Sequence, residues 1–196
     1  KCHNKSCAVL FEDITSAFQR DIMSVVDVRD YGAIGDGAID DSAAFAAADA
    51  AANGRRILVS DGIFFLGEDV SIQSRISFEG TVTQADTHRF ILQREFDYQT
   101  YFDAFGDEEI AFRKAYQALI NFADHDSLDL NGRRIDLTEP MDMQAADPSR
   151  TVFATRRVIR NGQIRPVAGS AWDTQSVSSS ATYATNNATK LTNVAN

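Results

Sequence analysis

The chain has 196 residues, 44% hydrophobic and 24% charged, which suits one ordinary domain or two small ones and is too apolar for a wholly disordered polymer. Nineteen basic residues stand against twenty-eight acidic ones, and the net charge of −9 works against binding nucleic acid or an anionic membrane surface. No stretch approaches the ~18 consecutive apolar residues of a membrane span, so no membrane segment is expected.

Cys2 and Cys7 frame the opening residues with His3 between them. Two thiols and one imidazole fall short of the four ligands of a structural zinc site, and Lys1 and Lys5 repel a cation. A disulfide and two free thiols both remain open, and no metal or other cofactor is expected. The first residues lack the charged-then-apolar pattern of a secretory leader.

Residues 8–24 carry Leu10, Ile14, Phe18 and Ile22 at four-residue intervals, the pattern of an amphipathic helix that needs a partner for its stripe. Val25, Val26 and Val28 predict a short strand. Asp30-Tyr31-Gly32-Ala33-Ile34-Gly35-Asp36-Gly37 then places three glycines in six residues, the mark of a tight loop. Asp40, Asp41 and Ser42 offer N-cap groups to an alanine-rich helix over 43–52, and Asn53-Gly54 stops it. Short strands follow at 57–59, 63–66, 70–72 and 76–82, divided by Gly, Asp and Ser. Strands this short, with turns this frequent, suit a solenoid or a small barrel.

An aromatic stretch comes next, with Phe90, Phe96, Tyr98, Tyr101, Phe102 and Phe105. Such rings pack cores and also stack on sugars or partner subunits, and Tyr98, Tyr101 and Phe102 are the candidates for a contact of that kind. Asp107-Glu108-Glu109 opens a second helix with apolar positions at Ile110, Ala115, Leu119 and Phe122, followed by strand-like segments at 128–130, 135–137, 141–143 and 158–164. The second half thus looks like a weak repeat of the first. Gly62 lines up with Gly132, Gly80 with Gly162, Ile76 with Val158 and Val82 with Ile164, as expected of units that bury their faces by stacking. Four segments result: a helical docking segment at 1–24, a first helix-plus-strands unit at 25–89, the aromatic insert and a second unit at 90–169, and a polar Ser/Thr/Asn-rich tail at 170–196. The tail is either a linker or a set of thin polar strands.

The segment from Val26 through Tyr31-Gly32-Ala33-Ile34-Gly35-Asp36-Gly37 to Asp40-Asp41-Ser42-Ala43-Ala44-Phe45 resembles the opening signature of the pectate-lyase-like superfamily. Its members include polysaccharide lyases, polygalacturonases and tailed-phage spikes. Ile57-Leu58-Val59-Ser60-Asp61-Gly62-Ile63-Phe64 is similar to that family's first-coil segment, with Ser60 where proline is common and Phe64 where tyrosine is. The resemblance implies a mainly β chain with short capping helices, the start of a right-handed parallel β-helix. Gly32, Gly35, Gly37, Asp40 and Asp41 would form its structural loop and cap. A phosphate-cradling role for these glycines fails, because no Gly-Lys-Ser/Thr ending or dinucleotide fingerprint is present and the aspartates repel phosphate.

Catalytic motifs are missing. Of the Asn-x-Asp, Asp-Asp, His-Gly and Arg-x-Lys set of polygalacturonases only Asp40-Asp41 occurs, and it lies in the capping segment rather than on a later coil. His3, His88 and His125 form no metal-spaced pair. The resemblance therefore implies a virion structural protein, the capsid- or tail-proximal part of a spike or fibre. Leu10, Phe11, Ile14 and Phe18 would attach it to other virion proteins. A homo-oligomer, a trimer above all, and a cell-surface polysaccharide ligand are the expected partners, and the alternative is a polysaccharide-degrading β-helix enzyme represented by its N-terminal portion.

Overall fold

Glycine and aspartate divide the chain into short strands, and apart from the last two described, each pairs with a strand that does not adjoin it in the sequence. The structure, a computed structural model, describes residues 25–121, 125–143, 156–173, 180–184 and 187–195. From its first described residue the chain passes through β1 (Val25–Asp27), a 3-10 turn (Val28–Tyr31), β2 (Asp36–Asp40) and helix α1 (Ser42–Ala52). It continues as β3 (Arg56–Val59), β4 (Ile63–Leu66), β5 (Val70–Ile72), β6 (Arg75–Phe78), β7 (Thr81–Gln84) and β8 (Phe90–Leu92). All pairing among these strands is parallel: β1-β3-β6, β2-β4-β7 and β5-β8.

Each ladder therefore receives one strand per winding. Stacked in register, Val26, Ile57 and Ile76 form one apolar column, Phe64 and Val82 a second, and Val70 and Phe90 a third; all seven are buried. The third ladder has two strands where the others have three, and α1 packs beside its first strand, β5. Small residues permit that close approach: Ala44, Ala48 and Ala52 are buried around one bulky side chain, Phe45, whose ring meets Phe64 edge-on at 5.8 Å. Asp49 on α1 accepts from the backbone N–H groups of Gln73 and Ser74, both at 2.9 Å, where β5 ends.

Helices α2 (Tyr98–Phe105) and α3 (Glu108–Asn121) follow as a hairpin. Asp97 caps α2 through Thr100 N–H at 3.0 Å, and Asp107 caps α3 through Glu109 and Ile110 N–H. The buried face of α2 packs on β6 and β7, while α3 packs on β8 and on the strands beyond it, β9 (Ser127–Asp129) and β10 (Arg134–Leu137). Those two pair in parallel with β11 (Val158–Arg160) and β12 (Gln163–Pro166). One hydrophobic core runs through both sets of strands. At its far end Ile164, stacked on the buried Ile135, is 47% exposed, and Pro166, which has no N–H, is accommodated on an edge. β13 (Ser180–Ala184) and β14 (Asn187–Ala195) pair antiparallel. Among the described residues the fold is thus mainly β, with three short α-helices and, apart from β13–β14, parallel strand pairing.

Several sequence expectations need correction. Segments 76–82 and 158–164 are each two strands, because Gly80 and Gly162 turn the chain between them. Strand pairing continues past residue 89, where the first unit was expected to end, since β8 pairs with β5. No strand forms at 141–143, and α2 was not anticipated. Ile110, expected on the buried face of its helix, is 40% exposed, while Ala111, Phe112, Ala115, Ala118 and Leu119 are buried.

The proposed glycine correspondences divide. Gly80 and Gly162 each precede the second-winding strand and crowd the backbone beneath: a Cβ would lie 2.8 Å from Gly62 O in one and 2.7 Å from Arg133 O in the other. Gly62 has φ +150° and is packed against Arg29 and Phe64, whereas Gly132 has φ +73° and open space around it, so those two are not equivalent. Val82 and Ile164 do hold matching positions, on Phe64 and Ile135. Ile76, which stacks on Ile57, is matched by Ile159 on Leu128 rather than by Val158.

Candidate functional site

The glycine–aspartate loop is built to hold itself. Asp41 is 2% exposed, and its carboxylate accepts from Ile34 N–H at 2.7 Å and Gly35 N–H at 3.1 Å, so it clamps the loop instead of capping α1 with its side chain. Asp40 accepts from Ser42 N–H and Gly67 N–H, both at 2.9 Å; hydrogen bonds from Ser42, then Gly67, hold its carboxyl below the ordinary range. Asp36 is lowered in the same way by the N–H groups of Ile39 and Ala38. Arg29 completes the knot, donating to Ile34 O at 2.6 Å, Asp61 O at 2.7 Å and Ser60 Oγ at 3.1 Å above the Phe64 ring.

Backbone geometry explains the glycines. Gly32 ends the 3-10 turn at φ +99°. Gly35 combines φ +68° with a position where a Cβ would meet the Phe64 ring at 2.8 Å, and Gly37 lies against Ile63. Asp36, Asp40 and Asp41 are thus each engaged by backbone N–H groups of the loop and its surroundings.

The aromatic candidates separate. Tyr98 and Tyr101 are fully buried. Tyr98 Oη donates to Glu108 O at 3.3 Å; Tyr101 Oη donates to Phe90 O at 3.0 Å and accepts from Leu92 N–H at 3.3 Å. Desolvation raises both phenol pKa values above the ordinary range. These two rings are core, and the expectation that they contact a sugar or a subunit is corrected. Phe102 is half-buried and lies under Arg133, whose guanidinium carbon is 4.1 Å from the ring centroid. Leu10, Phe11, Ile14 and Phe18, like the cysteines, lie outside the described residues.

A cleft of ≈360 Å³ opens between the polar side of α2 and residues of β3 and β6. Arg56, Ser77 and Phe78 come from the strands, Glu95 and Asp97 from the linker, Gln99, Thr100 and Asp103 from the polar side of α2, and Asn131 from the turn after β9. Arg56 pairs with both oxygens of Glu95, at 2.6 and 3.0 Å, and Glu95 also accepts from Ile76 N–H. Glu95 adopts φ +54°, uncommon for a residue with a side chain. Asn131 donates to Asp97 at 3.1 Å, Gln99 donates to Asp103 at 2.6 Å, and Gln99 accepts from Arg133 at 2.6 Å. The signal that was available is the polar stripe Gln99, Thr100 and Asp103 between buried Tyr98, Tyr101 and Phe105.

Among the described residues, no three of His, Cys, Asp and Glu assemble as a metal-binding group. No described helix is long and apolar enough to cross a membrane. Compared with protein-family models, with curated proteins and with solved structures, the chain matches none.

Proposed function

We infer that this chain is the particle-proximal part of a virion spike or fibre, built on the beginning of a right-handed parallel β-helix and working with a cell-surface polysaccharide as its ligand. The main support is how the parallel stack is closed at its N-terminal end. α1 occupies the place beside β5 where a further strand would pair, anchored by Asp49 and by the Asp41-clamped glycine loop. Open strand edges invite association with other chains, so a covered end suits a folded base from which an elongated assembly projects. Residues 1–24, carrying Leu10, Phe11, Ile14 and Phe18, are the attachment segment in this scheme, and subunits assemble as a homo-oligomer, a trimer in the favoured form.

Deleting residues 1–24 tests the assignment. The shortened chain is expected to keep the circular-dichroism spectrum of the parent and to be lost from purified particles. Retained incorporation would reject the attachment role, and release of reducing or unsaturated sugar products from capsular polysaccharide by the full chain would reject a purely structural role.

A further inference from the structure

We propose that the cleft between α2 and β3–β6 is a saccharide site selective for amine-bearing sugar units over uronate-type acidic ones. This deepens the polysaccharide element of the proposed function and rests on it. The volume of ≈360 Å³ falls within the range of small-ligand sites. Its lining combines hydroxyl, amide and carboxylate groups for sugar hydroxyls with apolar surface from the half-buried Phe78 for a ring face.

The polar groups are already held in place. Arg133 fixes Gln99, Thr100 and Asn131 fix Asp97, and Arg56 with Ile76 N–H fixes Glu95, so a ligand need not order them on arrival.

Charge selects the ligand. Three carboxylates, Glu95, Asp97 and Asp103, face one lining guanidinium, and both terminal nitrogens of Arg56 are committed to Glu95. An entering anion finds no uncommitted cation in the lining. An ammonium group meets Asp103, an exposed residue whose Oδ1 takes Gln99 while its Oδ2 has no protein partner among the described residues. Discrimination by sign of charge follows.

Calorimetric titration of the full chain with glucosamine, maltose and galacturonate oligomers of equal length, at low and high salt, tests this. The glucosamine oligomer is expected to bind about tenfold tighter than the neutral one, with the margin shrinking in salt, and the galacturonate oligomer not to bind. Asp103→Asn should weaken glucosamine binding about tenfold with an unchanged melting temperature, while Asp30→Asn, at an exposed site on the Val28–Tyr31 turn, leaves it unchanged. Equal affinity for the neutral oligomer, preference for galacturonate, binding of none of the three, or an unaffected Asp103→Asn variant would overturn the proposal. Particle association is read in the separate deletion experiment, so failure of the cleft and failure of the spike assignment are distinguishable.

Discussion

The Tyr101 hydroxyl donates to Phe90 O at 3.0 Å and accepts from Leu92 N–H at 3.3 Å. The β5 side of β8 is already used, with Val70 N–H on Arg89 O and Gln93 N–H on Ile72 O, so Phe90 and Leu92 present the opposite edge. One phenol thus satisfies two backbone groups that a following strand would otherwise take. Asp49 of α1 likewise accepts from the two residues that follow β5, so side chains from helices satisfy backbone groups at both strands of this ladder.

Tyr101→Phe should therefore cost about 1–3 kcal/mol, because it leaves a buried donor and a buried acceptor without partners. Tyr98→Phe, which loses a single bond to Glu108 O, should cost less. Urea denaturation of the two variants checks the order, and equal effects would contradict the edge role of Tyr101.

Two glycines separate crowding from backbone strain. Gly80→Ala would press a methyl group onto the Gly62 carbonyl and Ser60 backbone and should destabilise by about 3 kcal/mol. Gly132→Ala meets no atom within 4 Å and bears only the cost of its left-handed φ, about 1 kcal/mol. Thermal melts that rank them the other way would contradict the stacking of β6–β7 on β3–β4.

Asp41→Ala leaves Ile34 and Gly35 N–H without their carboxylate and should cost at least about 2 kcal/mol, loosening α1 with the loop. Hydrogen exchange should then accelerate across residues 34–52 ahead of residues 127–137. Uniform acceleration would show that the loop does not act as a local clamp.

Stability should rise and then fall on the alkaline side. Lys114 is buried on α3, donating to Ala85 O and His88 O at 2.6 Å, and desolvation lowers its pKa to about 8 against 10.5 when exposed. Between those values the unfolded chain binds a proton that the folded one does not, so stability increases with pH. Above about 10 the raised pKa values of Tyr98 and Tyr101 reverse the slope, since the unfolded phenols ionise first. In acid, Asp36, Asp40, Asp129 and Asp136 have lowered pKa values, so stability falls as pH drops below about 4. Urea midpoints across pH check the profile, and Lys114→Met should abolish the rise above pH 8; a rise that persists would contradict the assignment.

Period and punctuation made the first windings legible. Glycine and aspartate bracket β3, β4 and β5, and an alanine run between Asp41 and Asn53 reads as α1. α2 was hidden because its aromatic residues carry little helical signal by themselves; Asp97 capping and the fit of Tyr101 to β8 decide the matter in three dimensions. The cleft stayed hidden for a related reason. Arg56, Glu95 and Asn131 are far apart in sequence, and nothing in their local context marks them as neighbours.

The spike assignment is tested most directly by purifying particles on a density gradient and quantifying this chain across the fractions. The account predicts comigration at a fixed whole-number ratio to the major capsid or tail protein, a multiple of three for trimeric spikes. A chain found only in the soluble fractions, or at a ratio that drifts from one preparation to the next, would contradict it.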